Sequence, residues 1–436
     1  MFWMAPPGSL NSVPGPPGQG QVPGPQVITE RTSGSLSVTE GPKVTTEEDR
    51  VEAGPTKASD IRYVRKTGTF KRNPFYELNQ TSSIQIKMKN FISAHDVKDI
   101  DSLVRSALAY KANPLKDKEL GAHKRIGMLF LNPSMRTRLS TQIAAQNLGA
   151  DAIVFNVDKE GWALEFEEEA IMSGNKVEHV KDAAPIMGKY FDILCIRTFP
   201  SLKNKEEDYS ELYINQFVKY SGIPVVSLES STLHPLQSLT DIITITEVLG
   251  AGGGSAKASS SATGQAGSAQ ASGTAQSAPK GRKPKIVLTW APHVKALPQA
   301  VANSFSQWVN AWGQAGRQID FVITHPEDYE LDPQFTKGAT ITHNQNEALE
   351  GADFVYVKNW STFTDYGKIY CNDPEWMLTQ DKLKQTNNAR VMHCLPVRRN
   401  VELSDEILDS PSSIVTQEAS NRVWAAQAVL ADLLKR

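Results

Sequence analysis

Apolar residues in this chain fall into short unbroken runs that alternate with stretches of helical spacing. KRIGMLFLN at 124–132 is the first run, and LSTQIAAQNLGA after it reads as a helix that ends at Gly149. DAIVFNV at 151–157, FDILCIRTF at 191–199 and IPVVSLES at 223–230 are further runs of strand length, with helical sequence around EFEEEAIMSG between the first two. A strand apolar at nearly every position has both faces covered, and strands that alternate with helices pair in parallel. The same pattern returns in KIVLTWA, IDFVITH, GADFVYVKNW and ARVMHCLPV, with VANSFSQWVNAW as a helix among them. The chain closes on EASNRVWAAQAVLADLLKR, whose Val423, Ala426, Val429, Leu430 and Leu433 share one face of an amphipathic helix. The expected fold class is α/β: two doubly wound parallel-sheet domains joined by interdomain helices, with ligand-facing loops at the carboxyl ends of the strands.

The pattern is missing in two places. From Met1 to about Lys71 the chain is rich in Pro, Gly, Ser, Thr and Glu with few large apolar residues, and AGGGSAKASSSATGQAGSAQASGTAQSAPKGRKP at 251–284 has the composition of a flexible linker. The expected organisation is therefore a disordered extension at 1–84, a first domain at 85–249, a linker at 250–284, a second domain at 285–418, and a closing helix at 419–436 that packs back on the first domain. A chain of 436 residues suits two domains. Forty-six basic against 48 acidic residues leave a formal charge of -2, which provides no broad reason to bind nucleic acid or an anionic membrane. Cys195, Cys371 and Cys394 are odd in number and far apart, a pattern that fits a reducing compartment. The opening MFWMAPPGSL is a poor secretory signal, and no segment has the roughly 18 apolar residues of a membrane span. A cytoplasmic protein is expected.

Candidate chemistry sits where strands end. After Phe130 and Leu131 come Asn132-Pro133-Ser134-Met135-Arg136-Thr137-Arg138, and a helix follows. Backbone N–H groups at a helix N-terminus, the hydroxyls of Ser134 and Thr137, and the Arg136 guanidinium can converge on a phosphate dianion. The same residues fit a capped helix with two solvated arginines equally well. Arg197 follows the run FDILCI. His234-Pro235-Leu236-Gln237 opens a helix with His234 and Gln237 on one face, and His393-Cys394-Leu395-Pro396 follows another strand with Arg398 and Arg399 beyond. Taken singly, each also reads as a strand edge, a local cap or a buried cysteine.

Together, Ser-Met-Arg-Thr-Arg, His-Pro-Leu-Gln and His-Cys-Leu-Pro, in this order, resemble the aspartate/ornithine carbamoyltransferase family over about residues 86–249 and 284–436. That resemblance implies a carbamoyl-phosphate domain, an amino-acid domain, and a homotrimer with active sites shared between subunits. It makes Ser134, Met135, Arg136 and Thr137 the phosphate cradle, and directs Arg197 and His234 at the carbonyl oxygen. Gln237 and the Cys394-Leu395 backbone would hold the carbamoyl amide, with Pro235 and Leu236 beside them, and Arg422 would reach the phosphate. The implied reaction is attack of an uncharged amine on the carbonyl carbon, with fixed positive groups stabilising the oxyanion. It calls for neither a metal, nor a cofactor, nor a covalent intermediate.

The acceptor is expected to be an N-acylated ornithine. Ornithine enzymes of the family carry an Asp followed by Ser-Met-Gly to hold a free α-amine. That motif is absent, and Thr289-Trp290-Ala291-Pro292-His293 resembles the branch that takes acylated ornithine. An acylated nitrogen is neutral, so an acid there would lose its partner. By the same resemblance Glu229, His293, Lys358 and Arg398 contact the acceptor, and Trp162 in GWALEF belongs to a loop that a neighbouring subunit inserts into the carbamoyl-phosphate site. Acetylornithine enzymes resemble the segment Gly174–His179 but place a glutamate where Val177 stands, and valine removes its repulsion of a succinyl carboxylate. Succinyl enzymes carry proline there, so Val177 departs from both patterns. Glu402 stands where acetylornithine enzymes can carry a carbamylated lysine. N-succinyl-L-ornithine is therefore the expected acceptor, in arginine biosynthesis. An N-acetylornithine enzyme is the runner-up, and an inactive scaffold is the alternative from another class.

Overall fold

Among the described residues there are eleven strands, all pairing in parallel, and eight of them fall on the apolar runs. The computed structural model describes residues 88–251 and 282–435, all within one compact unit. The tail expected at 1–84 and most of the linker expected at 250–284 lie outside the described residues. The strands are β1 (Arg125–Phe130), β2 (Asp151–Asn156), β3 (Leu164–Glu165), β4 (Glu178–His179), β5 (Ile193–Arg197), β6 (Val225–Glu229), β7 (Lys285–Trp290), β8 (Asp320–Thr324), β9 (Thr340–Thr342), β10 (Phe354–Lys358) and β11 (Arg390–Met392).

The first sheet has the order β2-β1-β5-β6 and the second β11-β10-β7-β8-β9, with β3 and β4 as a separate pair. In the first sheet the chain leaves β1 for β2 and then returns to β5 on the other side, so the order reverses between β1 and β5. In the second it runs from β7 out through β8 and β9 and returns to β10, reversing between β7 and β10. Ligands of open parallel sheets bind outside the carboxyl ends of the strands at such reversals. That places residues 131–137 and 197–199 of one sheet, and 291–293 and 358–360 of the other, where a site is expected.

Burial follows the sequence pattern. Every residue of β5, β6 and β10 is buried, as in strands covered on both faces. Helix Met135–Asn147 stops before Gly149, whose φ is +79° and where a Cβ would lie 2.0 Å from the Lys118 carbonyl oxygen. Helices Pro235–Ala251 and Val415–Leu434 pack on each other, and the latter also packs on Met135–Asn147 and Ile100–Ala112. With three helical neighbours its burial is not one-sided. Ala425, Ala426 and the run Ala428–Ala431 are all buried, while Val423 of the expected face is only half-buried.

One expectation is corrected, and one strand of the second sheet was not expected. EFEEEAIMSG is not helical: it follows β3 as an irregular loop. Its carbonyls are taken by neighbours, since Gln216 Nε2 donates to Phe166 O at 2.5 Å and Lys181 Nζ to Glu168 O at 2.6 Å. The Glu165 carboxylate meanwhile takes the amides of Phe166 and Glu167, so the backbone groups a helix would pair are already used. β9 went unrecognised because Thr-Ile-Thr is short and mostly exposed, with no apolar run to mark it. Among the described residues no helix is long and apolar enough to cross a membrane.

Candidate active site

A cavity of about 980 Å³ opens where the carboxyl ends of the two sheets face each other. Of the residues expected from sequence, Ser134, Met135, Arg136, Thr137, Arg197, Glu229, His234, Gln237, His293, Lys358, Cys394, Leu395, Arg398 and Arg422 line it. Pro235 and Leu236 do not; they form the first turn of the helix behind His234.

One wall is built to receive an anion. Ser134 is the N-cap of helix Met135–Asn147, yet its side chain makes no capping hydrogen bond, so the hydroxyl stays available. Thr137 Oγ1 accepts from Arg422 Nη2 at 2.6 Å, and the other Arg422 terminal nitrogen donates to Gln237 Oε1. Gln237 Nε2 donates to Asp241 Oδ1 at 2.7 Å and to Glu418 Oε1 at 3.0 Å. Its amide is thereby locked in one orientation, with one lone pair of Oε1 left for a ligand. Burial pushes the Asp241 carboxyl up to about 7 and the Glu418 carboxyl well above its ordinary value, so Glu418 keeps its proton beside Asp241. The pair fixes Gln237, and Gln237 in turn accepts from Arg422.

The opposite wall carries the electrophilic groups. Arg197, at the end of β5, is ion-paired with Glu229 at the end of β6, both buried, and His234 Nε2 stands 3.6 Å from Glu229. Burial, followed by the charges of Arg422 and Arg197, holds the His234 pKa well below the ordinary histidine value, so its imidazole is neutral at pH 7. The loop delivering His234 is clamped by Glu211, which accepts from Thr232 N at 2.7 Å and from Ser230 Oγ at 2.6 Å. Nε of Arg136, Nε of Arg197, Nε of Arg422 and Nδ1 of His234 are buried without a partner. Buried polar atoms are rarely left unpaired, and four of them on the walls of one cavity mark a site completed by a ligand.

The second sheet supplies the other half. Trp290 Nε1 donates to Trp360 O at 2.9 Å and Asn359 Nδ2 to Ala291 O at 2.7 Å, so the motifs Thr-Trp-Ala-Pro-His and Lys-Asn-Trp brace each other and aim His293 and Lys358 at the cavity. Arg398 Nε donates to His293 Nε2 at 3.1 Å, which leaves His293 Nδ1–H to donate to Lys295 O at 2.8 Å. His393 Nδ1 accepts from Leu395 N at 2.9 Å, so its Nε2–H faces Glu402 at 3.3 Å. Burial alone would raise the Glu402 carboxyl, but His393, Lys358 and the Arg398 amide hold it down to about 2. Leu395 has φ +58°, a conformation that costs a non-glycine residue roughly 1 kcal/mol or more and is kept where surroundings impose it. Burial pushes the Cys394 thiol up to about 11, which leaves it protonated and a poor nucleophile.

Three further expected residues complete the picture. Glu229 lines the cavity, paired with Arg197 and 3.6 Å from His234 Nε2. Trp162 and Val177 are 53% and 64% exposed and lie outside the cavity of the single chain. Trp162 Nε1 instead donates to Glu178 at 2.8 Å. The reading of the sequence also missed Asp241, Glu418 and Glu211. Asp241 is four residues after Gln237 and Glu418 four before Arg422, so helical spacing from those residues was the available signal.

The chain matches the family models Aspartate/ornithine carbamoyltransferase, carbamoyl-P binding domain, over residues 89–247, and Aspartate/ornithine carbamoyltransferase, Asp/Orn binding domain, over residues 301–433. It is 44% identical over 350 residues to the N-succinylornithine carbamoyltransferase of Bacteroides fragilis (strain 638R), across 80% of this chain and 99% of that one. It is 31% identical over 368 residues to the N-acetylornithine carbamoyltransferase of Xanthomonas campestris pv. campestris, across 80% and 98%. Among solved structures, a glutamate-to-valine mutant of N-acetyl-L-ornithine transcarbamylase complexed with carbamyl phosphate and N-succinyl-L-norvaline superposes with a TM-score of 0.66 at 31% identity, covering 79% of this chain and 99% of that one. With both domains matched and relatives aligned nearly end to end, the chain belongs to the aspartate/ornithine carbamoyltransferase family and is a carbamoyltransferase.

Proposed function

We propose that the enzyme transfers the carbamoyl group of carbamoyl phosphate to the δ-amine of N-succinyl-L-ornithine, giving N-succinyl-L-citrulline and phosphate, as a step of arginine biosynthesis. The observation that carries the acceptor assignment is the charge of the cavity. Arg136, Arg197, Lys295, Lys358, Arg398, Arg399 and Arg422 line it against a single acid, Glu229, and that acid is already paired with Arg197. A free α-ammonium would find no carboxylate there, whereas an acylated nitrogen needs none. Lys358 is 7% exposed and makes no side-chain hydrogen bond or ion pair among the described residues, so it is placed to receive a carboxylate. A succinyl group adds a second carboxylate, which suits the Lys358 and Arg398 side.

The glutamate-to-valine mutant of the acetyl enzyme with its succinyl ligand supports the same sense of change at Val177. Exposed Trp162, Ile171, Met172 and Val177 all lie in the segment from 162 to 177. Apolar side chains exposed together in one loop support its insertion into the site of a neighbouring copy, as in a homotrimer. The three cysteines, all with free thiols, fit the reducing cytoplasm.

In the reaction, Ser134, Thr137, Arg136, Arg422 and the helix N-terminus hold the phosphate, while Arg197 and neutral His234 face the carbonyl oxygen. The uncharged δ-amine attacks the carbonyl carbon, negative charge grows on the oxygen and is met by those donors, and the C–O bond to phosphate breaks. The proton lost by the attacking nitrogen leaves with the phosphate. The test is the kcat/KM for ornithine, N-acetyl-L-ornithine and N-succinyl-L-ornithine measured in parallel. The succinyl compound is expected to lead; preference for the acetyl compound would overturn the acyl assignment, and turnover of none would overturn the function.

A further inference from the structure

We infer that His325, Glu330 and His343 form a binding site for a divalent transition-metal ion of the zinc class, separate from the substrate cavity. His325 and Glu330 lie just after β8, and His343 directly after β9, so two neighbouring parallel strands deliver them to the outer edge of the second sheet. Each of the three offers a ligand atom, and these atoms all lie within 4.8 Å of one another. None of the three lines the cavity described above.

The tautomers of both histidines suit metal binding. His325 is fully buried, and its Nδ1 lies 2.8 Å from Pro326 O, a contact that requires the proton on Nδ1. Its Nε2 therefore carries the lone pair, and that atom is buried without a hydrogen-bond partner. His343 repeats the arrangement, its Nδ1 lying 3.0 Å from His325 O. A backbone carbonyl on the far ring nitrogen is the usual device that fixes a metal-ligating imidazole. The two rings stand edge to face, centroids 5.0 Å apart, so both can be directed at one point.

Two imidazoles and a carboxylate are a common zinc donor set, with water in the fourth position. Bonds of about 2.0–2.1 Å to a tetrahedral ion put ligand atoms roughly 3.4 Å apart. The cluster must close by up to about 1.4 Å, and Glu330 is an exposed side chain with room to turn, whereas the rings of His325 and His343 are held by their carbonyl partners. The bound ion ties the segment 325–330 to edge strand β9. Tyr329 of that segment packs its ring 4.8 Å from that of Trp290 and accepts the Trp360 indole N–H at 2.8 Å. These two tryptophans frame His293 and Lys358, so loading the ion stiffens the support of the acceptor side.

The full chain, stripped with chelator and desalted, is titrated with zinc sulfate and, in parallel, with cobalt(II) chloride. One equivalent per chain, a raised unfolding midpoint and visible cobalt d–d bands are expected. Glu330→Gln and His343→Ala should weaken binding by about tenfold or more and remove the midpoint rise, with the metal-free midpoint unchanged. Absence of saturable zinc uptake at micromolar concentration would overturn the inference, and so would uptake with the same affinity in both variants. Neither readout depends on which acceptor the enzyme uses.

Discussion

Replacement of Arg136 by alanine separates the anion site from the fold that carries it. Arg136 is half-buried, its Nε has no partner, and its side chain makes no ion pair among the described residues, so little of the folded chain depends on it. A bound phosphate would take two charge-assisted hydrogen bonds from the guanidinium, each worth about 1.5–3 kcal/mol. Losing both costs roughly 3–6 kcal/mol, which converts to a fall of about 10²–10⁴ in kcat/KM for carbamoyl phosphate. Surface-like substitutions of this kind move stability by about 0.5 kcal/mol or less, so the unfolding midpoint should stay within a degree or two. Arg136→Lys should recover part of the loss, since a lysine restores the charge but not the fork. The assay is initial-rate kinetics with carbamoyl phosphate varied at saturating acceptor, alongside thermal unfolding. A kcat/KM within about threefold of wild type would refute the cradle, and a collapse of the midpoint would refute the claim that Arg136 serves the ligand and not the fold.

The remaining predictions concern protonation and the thiol. Glu402 has a folded pKa of about 2 against an ordinary value of 4.5, so it contributes stability above pH 4.5 that disappears as pH falls toward 2. Glu402→Gln should cost on the order of 3 kcal/mol at pH 7 in denaturant unfolding, with the difference from wild type shrinking in that acid window. Because His234 is already neutral, kcat/KM for the acceptor should rise about tenfold per pH unit from 6 to 8, following deprotonation of an amine with a pKa near ~10, without a bend near 6.5. A bend there would show that His234 ionises. Cys394→Ser should keep kcat within about threefold, and iodoacetamide should leave wild type active, because the protonated thiol is not a nucleophile; strong inactivation in either experiment would contradict this.

What could be read from the sequence divides along physical lines. The central strands were legible because strands buried on both faces leave unbroken apolar runs, as in Ile193–Arg197 and Phe354–Lys358. Edge strand Thr340–Thr342 leaves no such trace, and EFEEEAIMSG has helical composition but spends its backbone groups on Gln216, Lys181 and its own Glu165. Cavity residues were legible where chemistry sits at a strand end in a recognisable motif, as in Ser134–Thr137 and His234. Groups acting through others were not: Asp241 and Glu418 matter only because the fold brings two helices together around Gln237 and Arg422. Trp162 and Val177 show the opposite case, since their motif was visible while the single chain leaves both outside the cavity.

The most direct test of the account is a crystal structure of the enzyme with carbamoyl phosphate and N-succinyl-L-norvaline, which lacks the attacking amine. Phosphate oxygens are expected within hydrogen-bond distance of Ser134, Thr137, Arg136 and Arg422, the carbonyl oxygen at Arg197 and His234, and the succinyl carboxylate on the Lys358 and Arg398 side. Phosphate bound away from the helix N-terminus, or a succinyl group turned away from those two cations, would contradict it.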